Sequence, residues 1–232
     1  MIAQSVAAGV TRLVAMGVDE SRSRHALTLA RAHPQVWCGV GHHPTEAGDP
    51  DVGKLREMAA DPRVVAIGEV GLDFEQQDRP GHRLQEERLN QLFALAVELD
   101  LPVSIHNRGA AAVLLDAIAR HPGLRGVMHY FSLEWEWALR FLDAGFHLSF
   151  AGLVTRPSRE ALREVVARCP ADRLLLETDS PYGNAHRRMG VPNRPAYLID
   201  TATLVAELRG LDLEQLAELE CANALALFTR MR

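Results

Sequence analysis

The stretch VVAIGEVGLDF, residues 64–74, decides the fold prediction. It begins with Val64, Val65, Ala66 and Ile67, an apolar run that is typical of a strand buried on both faces of a sheet. The character then changes, because Gly68 and Glu69 follow and Asp73 comes four residues later. A carboxylate at the end of a buried strand indicates a functional residue at that position.

Short apolar runs alternate with longer amphipathic runs on both sides of this stretch. The predicted strands are residues 10–18, 36–43, 64–71, 102–107, 126–131, 146–152 and 173–179. The predicted helices are residues 21–33, 51–60, 82–100, 109–121, 134–144, 158–168, 195–209 and 213–230. This alternation predicts a parallel sheet with helices outside it, in a single domain over residues 1–232.

This alternation of strands and helices is close to that of an eight-stranded α/β barrel. Such a barrel needs eight strands and about 250 residues, whereas seven strands are predicted here in 232 residues. The first residues, 2–9, have the pattern of the end of a helix. One strand and its loop are therefore expected to be missing from the front of the barrel.

Helical patterns and histidine positions give more local expectations. In the helix at 82–100, five apolar residues recur at helical spacing and predict its packing face: Leu84, Leu89, Leu92, Phe93 and Ala96. Glu86, Glu87 and Arg88 are expected on the solvated face. Asp212 and Gln215 resemble a capping box before the last helix. Histidines in or next to helices, or at a strand start, are expected at the surface: His25, His33, His82, His121 and His147.

Composition and charge narrow the classes of function. The net charge of -5 argues against a broad basic surface for non-specific nucleic-acid binding, although it allows a phosphate substrate held by metal ions. No apolar run reaches the roughly 20 residues of a membrane span, and no signal peptide is recognisable. Cys38, Cys169 and Cys221 lack CxxC spacing, which favours reduced, buried thiols and a cytoplasmic location.

Polar residues recur where the predicted strands end. His42 and His43 end the second strand, and the later strand ends carry four more such residues: Glu69, His106, His129 and Asp179. In a parallel barrel these ends lie on one face, the face that holds active sites. Imidazole and carboxylate groups together suit Zn, Mn or Mg. The sequence therefore predicts a divalent-metal site in which Glu69 is a ligand.

These motifs resemble those of the TatD-type metal-dependent deoxyribonucleases. The segment AIGEVGLDF is similar to that family's GE-x-GLD-[FY] signature, and LLLETDSPY contains its ETDSP motif. Further segments follow in the family's order: GVGHHP, PVSIHNR, MHYFS, SFAGLVT, NRPAYL and CANALALF. The resemblance implies a TIM (β/α)8-type barrel of the metal-dependent hydrolase superfamily that hydrolyses phosphodiester bonds in DNA with up to two divalent metal ions (Mg, Mn or Zn).

The resemblance also implies roles for individual residues. Glu69 would bridge the two ions, and His106 and His129 would hold the second ion. Asp179 would sit on the first ion and help to deprotonate the attacking water, with Glu177 beside it in a supporting position. Substrate-side positions of the family fall on five residues here: His43, Asn107, Arg108, Arg188 and Arg194. Arg187 also follows the last strand and is expected to be able to meet phosphates.

The sequence departs from the family pattern at its start and in one late loop. The family's first strand ends in H-x-H, which no segment of residues 1–232 contains. Either the sequence starts late or the protein lacks that strand; in both cases one metal position is expected to be impaired in this chain. The loop HRRMGVPNRP also lacks the family's usual lysine. We expect this difference from the family pattern to affect which substrate is preferred.

Three functions stay open from sequence. The first is a metal-dependent nuclease with DNA as its substrate and with neither a membrane nor an obligate protein partner. The second is a related barrel hydrolase acting on an ester, amide or aminoacyl bond, since a fold does not fix the substrate. The third is a catalytically impaired barrel with a binding role.

Overall fold

All seven predicted strands form in the computed structural model, which describes residues 1–75 and 80–232. The strands are β1 Leu13–Met16, β2 Val36–Val40, β3 Val64–Asp73, β4 Val103–Arg108, β5 Gly126–Met128, β6 His147–Phe150 and β7 Leu174–Leu176. The helices are α1 Ile2–Ala7, α2 Glu20–Ala32, α3 Val52–Ala59, α4 His82–Glu98, α5 Ala111–Ala119, α6 Trp135–Asp143, α7 Glu160–Arg168, α8 Leu198–Arg209 and α9 Leu213–Leu227. Each predicted helix therefore forms, most with shorter ends than predicted.

The chain divides into two compact units, and the expectation of a single domain stays a prediction. Residues 13–128 and 227–232 form one unit, which holds β1 to β5 among its described residues and is called the five-strand unit below. Residues 1–12 and 129–226 form the other, which holds β6 and β7 and is called the two-strand unit.

The five-strand unit is a parallel sheet in chain order. Leu13 pairs with Val36 at the β1–β2 step, and Val103 pairs with Gly126 at the β4–β5 step. The register between β3 and β4 shifts between Ile67 and Val70, the segment that contains Gly68 and Glu69. Ile67 at the centre is fully buried, which fits the prediction of a strand covered on both faces.

The two-strand unit pairs β6 with β7, also in parallel, with Leu148 opposite Leu174. Its last helix is preceded by the predicted capping box. The Asp212 carboxylate accepts a hydrogen bond from the Gln215 backbone N–H at 2.8 Å, and the Gln215 side chain accepts one from the Asp212 N–H at 3.0 Å. The reciprocal pair satisfies N–H groups that the first turn leaves unpaired, which confirms the prediction.

Helix α4 corrects two of the local expectations. Leu84 is 37% exposed, whereas the other four predicted packing residues are buried: Leu89, Leu92, Phe93 and Ala96. At about 100° per residue, Leu84 lies roughly 140° around the helix from Leu89, outside the packing face. Arg88 was expected in solvent and is instead buried, where its guanidinium contacts the Asp49 carboxylate at 3.0 Å and the Glu46 carbonyl at 3.2 Å.

Other buried groups follow or correct the sequence expectations. Cys38 and Cys169 are buried free thiols, as expected, and burial raises the pKa of each to about 12; Cys221 is half-buried. His147 was expected at the surface but is buried, because it begins β6 with its side chain among the strand's packed residues. Among the described residues, no helix combines the length and the apolar character needed to cross a bilayer.

Candidate functional site

Two strands of the five-strand unit and the segment after a third bring His43, Glu69 and His106 together. Glu69 and His106 lie within β3 and β4, since β3 continues four residues beyond Glu69, and His43 follows the end of β2. The His43 Nε2 atom lies 3.4 Å from Glu69 Oε1, and the His106 Nδ1 atom lies 3.2 Å from the same oxygen. One ligand atom from each residue falls within 4.8 Å of the others, an arrangement able to hold a metal ion. All three side chains are partly buried, so the group is both shielded and open to water.

Glycines explain how these strands come so close. A Cβ atom at Gly41 would lie 2.5 Å from the carbonyl carbon of Gly68, and one at Gly71 would lie 2.0 Å from the His106 carbonyl oxygen. Gly71 also has φ of 152°, a backbone conformation that side chains rarely adopt. The G-E-x-G spacing therefore places Glu69 on a segment whose flanking backbone has no room for larger residues.

Asp73 holds the His106 ring from its other side. The Asp73 carboxylate is 1% exposed, and its Oδ2 atom lies 3.3 Å from His106 Nε2. Its backbone is fixed by Gln85, whose side-chain amide accepts from the Asp73 N–H at 2.8 Å and donates to the Asp73 carbonyl at 2.9 Å. Sequence reasoning gave Asp73 no role. Carboxylates that orient a ligating imidazole in this way are a common feature of metal sites.

The contacts of His43 fix a second ring. The His43 Nδ1 atom lies 2.7 Å from the Thr45 hydroxyl oxygen, which leaves Nε2 toward Glu69. The rings of His43 and His106 meet edge to face with centroids 4.4 Å apart. Sequence reasoning placed His43 on the substrate side, whereas the structure places it in the group with Glu69 and His106.

The donor set and its geometry fit a divalent cation. An ionised Asp73 carboxylate can only accept, so the N–H of His106 is assigned to Nε2 and the Nδ1 lone pair faces Glu69. A lone pair and a carboxylate oxygen 3.2 Å apart repel each other unless a proton or a cation lies between them. Two imidazoles and a carboxylate are ligands that Zn and Mn accept well.

The two-strand unit carries a second group of polar side chains around His129. The His129 Nδ1 atom lies 2.8 Å from Glu177 Oε1, and its Nε2 atom lies 3.7 Å from Asp179 Oδ1. Glu177 is itself held by the Tyr130 backbone N–H at 2.9 Å and by the Ser149 hydroxyl at 2.6 Å. Glu177 thus fixes the ring and turns Nε2 toward Asp179, an arrangement that suits its expected supporting position.

The backbone around Asp179 is in an unusual conformation. Asp179 has φ of 58° and Tyr130 has φ of 48°, left-handed values that non-glycine residues seldom adopt. A Cβ atom at Gly183 would lie 2.7 Å from the Thr178 carbonyl oxygen and 2.9 Å from the Tyr130 ring, so the chain after Asp179 folds back tightly. Burial, with the Asp179 carboxylate nearby, raises the pKa of Tyr130 and keeps its hydroxyl protonated at neutral pH.

The other predicted substrate residues are placed in two regions. In the five-strand unit, the Asn107 side chain accepts from the Ala110 N–H at 3.3 Å, and Arg108 pairs with Glu75 at 3.1 Å on the surface. Their substrate roles stay predictions.

In the two-strand unit, Arg187 and Arg188 both contact the buried carboxylate of Asp200. Arg188 also stacks over the Tyr197 ring, with its guanidinium carbon 3.9 Å from the ring centroid. Burial alone would raise the pKa of Asp200, but the two guanidinium groups outweigh it and hold that pKa below its ordinary value. Arg194 is exposed. Arg187 is exposed as well, although Asp200 engages its guanidinium, and the substrate roles of all three arginines stay predictions.

Comparisons with known proteins identify relatives that are named metal-dependent hydrolases, which agrees with a group of residues able to hold a metal ion. The family model for TatD related DNase matches residues 1–229. The metal-dependent hydrolase YabD of Bacillus subtilis is 34% identical over 98% of this chain and 91% of its own length. A protein of Cronobacter sakazakii named 3'-5' ssDNA/RNA exonuclease TatD is 37% identical over 99% of this chain and 91% of its own length.

The fold is shared with a solved structure of the same family. YJJV, a TatD homolog from Escherichia coli, superposes with a TM-score of 0.92 at 29% identity, over 98% of this chain and 90% of its own. Together with the alternating parallel strands and helices, this likeness confirms the predicted fold class, a TIM-like barrel of the metal-dependent hydrolase superfamily. With a family match over nearly all its residues, this chain belongs to the TatD-related DNase family and is a metal-dependent hydrolase.

Proposed function

We propose that this chain is a divalent-metal-dependent nuclease that hydrolyses phosphodiester bonds in DNA. The proposal draws its substrate class from relatives that are named ssDNA/RNA exonucleases and match nearly the whole chain. The observation that carries the metal requirement is the His106 ring, held by Asp73 so that its other nitrogen faces Glu69 at 3.2 Å. Such a pair is stable when a proton or a cation lies between the two acceptors, and the partly buried His43 beside it supplies a third ligand for a cation.

Each unit contains proposed metal ligands of its own. In the five-strand unit, Glu69, His106 and His43 form the group that is able to hold an ion. In the two-strand unit, His129 and Asp179 are proposed as ligands, as the family resemblance implies. A divalent ion bound by the first group would polarise a phosphoryl oxygen and lower the pKa of a bound water, and a second ion, where one binds, would stabilise the leaving oxygen.

Asp179 is proposed as the group that accepts the proton of the attacking water. It is 30% exposed and lies in a tight turn after β7, so its carboxylate is accessible to water and to a substrate. A positioned base of this kind contributes about 100- to 10,000-fold to a rate. Glu177 keeps the neighbouring His129 ring in one orientation, with its Nε2 atom toward Asp179.

The test combines metal analysis with hydrolysis assays. The purified chain is stripped with EDTA, reloaded with Mn, Mg or Zn, and assayed on single-stranded DNA, double-stranded DNA, RNA and a small carboxylic ester. Metal-dependent release of nucleotides, with one tightly held ion per chain, is the expected result. Turnover of the ester with no cleavage of any nucleic acid would replace the proposal with the ester-hydrolase alternative.

A further inference from the structure

An exposed apolar and aromatic surface follows directly after Asp179. Within residues 180–194 three large apolar side chains are exposed: Tyr182 at 73%, Met189 at 59% and Val191 at 48%. Tyr182 stands closest to the polar group, since its backbone N–H donates to the Asp179 carbonyl at 2.7 Å. This bond closes a turn in which the two Cα atoms lie within about 7 Å. An aromatic ring therefore projects into solvent one turn from the proposed base.

The segment that carries Tyr182 is held firmly to its own unit. The Asn193 side chain is buried and donates to the carbonyls of Thr178 and Tyr182 at 2.7 and 2.6 Å, while its backbone N–H donates to the Pro181 carbonyl at 2.9 Å. Further along, the His186 N–H donates to the Thr155 hydroxyl at 2.7 Å. The exposed ring thus stands on a backbone that is fixed at both ends, which lowers the entropic cost of binding a ligand there.

The charge of the segment favours an anionic partner. Residues 180–199 contain Arg187, Arg188 and Arg194 and no acidic residue. Asp200 accepts contacts from the first two arginines, so the three arginines and this one carboxylate leave a net charge of +2. Exposed aromatic rings combined with positive charge are the features of surfaces that bind single-stranded nucleic acid, where bases stack on rings and phosphates meet arginines.

We propose that Tyr182 stacks on an unpaired nucleobase of the substrate and that Arg194 contacts a neighbouring phosphate, which gives the enzyme a preference for single strands. The inference rests on the proposed nuclease function and adds the residue that reads the substrate's bases. A duplex keeps its bases stacked on one another, so a protein ring gains this contact only from an unpaired base. Tyr182 would be a specificity residue with no part in the chemistry.

Binding measurements with and without bases test the proposal. Fluorescence anisotropy gives the Kd of the metal-loaded protein for a short phosphorothioate oligothymidylate, which resists cleavage, and for the matching abasic strand, which keeps the phosphates and lacks the bases. Wild type should bind the base-bearing strand about 5- to 150-fold more tightly, the range expected for one stacked base. Tyr182→Ala should lose this preference, and Tyr182→Phe should keep it because the ring remains.

Controls separate this inference from the proposed function. Leu213→Ala removes another apolar side chain of the same unit, 42% exposed, and should leave the preference unchanged. A Tyr182→Ala protein that still prefers the base-bearing strand, or a wild type that binds both strands equally, would overturn the inference while leaving the nuclease proposal in place. A wild type that cleaves no unmodified nucleic acid would overturn the nuclease proposal, whereas Tyr182-dependent binding of bases would still support the stacking site.

Discussion

The two polar groups of this protein are built on the same principle but differ in how tightly they are held. In the five-strand unit, His106 lies between Glu69 and an Asp73 carboxylate that is almost fully buried. In the two-strand unit, His129 lies between Glu177 and Asp179, and both carboxylates are partly exposed. In each group one carboxylate contacts one ring nitrogen of the histidine and orients the ring. The other carboxylate faces the second ring nitrogen.

The difference in burial indicates a difference in task. A shielded carboxylate and closely packed strands preorganise Glu69 and His106, since a change in their positions would require the sheet to move. Asp179 lies instead in a turn with a left-handed backbone, where water and substrate can reach it. We therefore expect the first group to determine metal affinity and the second to determine turnover.

The largest expected effect comes from removing the carboxylate of the first group. Glu69→Ala should lower metal-dependent hydrolysis by about 1,000-fold or more, because charge stabilisation worth several kcal/mol is lost. Metal content by mass spectrometry should fall with activity. Glu98→Ala, an exposed carboxylate that pairs with Arg56 in the same unit, is the matched control. Near wild-type turnover at unchanged metal content would remove Glu69 from the site.

Asp179→Asn tests the second group. The substitution keeps the shape of the side chain and removes its basicity, so kcat should fall by about 100-fold or more. Metal affinity at the His43–Glu69–His106 group should stay within a few-fold of wild type, as measured by titration. Asp172→Asn, an exposed residue of the same unit, should change neither quantity. A loss below about tenfold at saturating metal would make Asp179 a structural residue.

Substitution of the two carboxylates that orient the imidazoles, Asp73 and Glu177, tests the comparison further. Asp73→Asn should weaken metal affinity by about 10- to 100-fold, since the ring of His106 loses its charged partner. Excess metal should then restore most of the activity. Glu177→Gln should instead lower kcat while metal affinity stays near wild type. If both variants changed metal affinity alike, the division of tasks between the groups would be wrong.

The smallest expected effect concerns the anchoring of the loop after β7 and depends on pH. The pKa of Asp200 is held below its ordinary value of 3.8 by Arg187 and Arg188, so the charged pair stabilises the fold fully above about that pH. The contribution is lost as the pH falls through the lowered pKa, because the folded protein must then take up the proton.

Asp200→Asn should therefore lower the free energy of unfolding by about 1–3 kcal/mol at neutral pH. The gap to wild type should close progressively as the pH falls below 3.8. Urea unfolding of both proteins across that range measures it, with Asp172→Asn as the exposed control. A gap that stays constant down to the most acidic point would show that charge does not contribute to this anchor.

The sequence by itself determined the order of the elements and much of the local geometry. Alternating apolar and amphipathic runs identified all seven strands, because side-chain periodicity is set by the backbone of each element. The capping box at Asp212 and Gln215 was also predictable, since both partners lie within one turn. The sequence further indicated that strand ends would carry His, Glu and Asp.

Only the tertiary structure decided which of these residues meet. His42 and His43 are adjacent, yet His43 contacts Glu69 whereas His42 is buried, and its burial and the nearby Arg88 lower its pKa. Consecutive side chains of an extended chain point to opposite sides, and the sequence does not show which side faces the site. Asp73 can contact and orient His106 only because β4 pairs with β3 in the folded sheet. Such contacts join residues far apart in sequence, so they depend on strand register and packing, which no local pattern encodes.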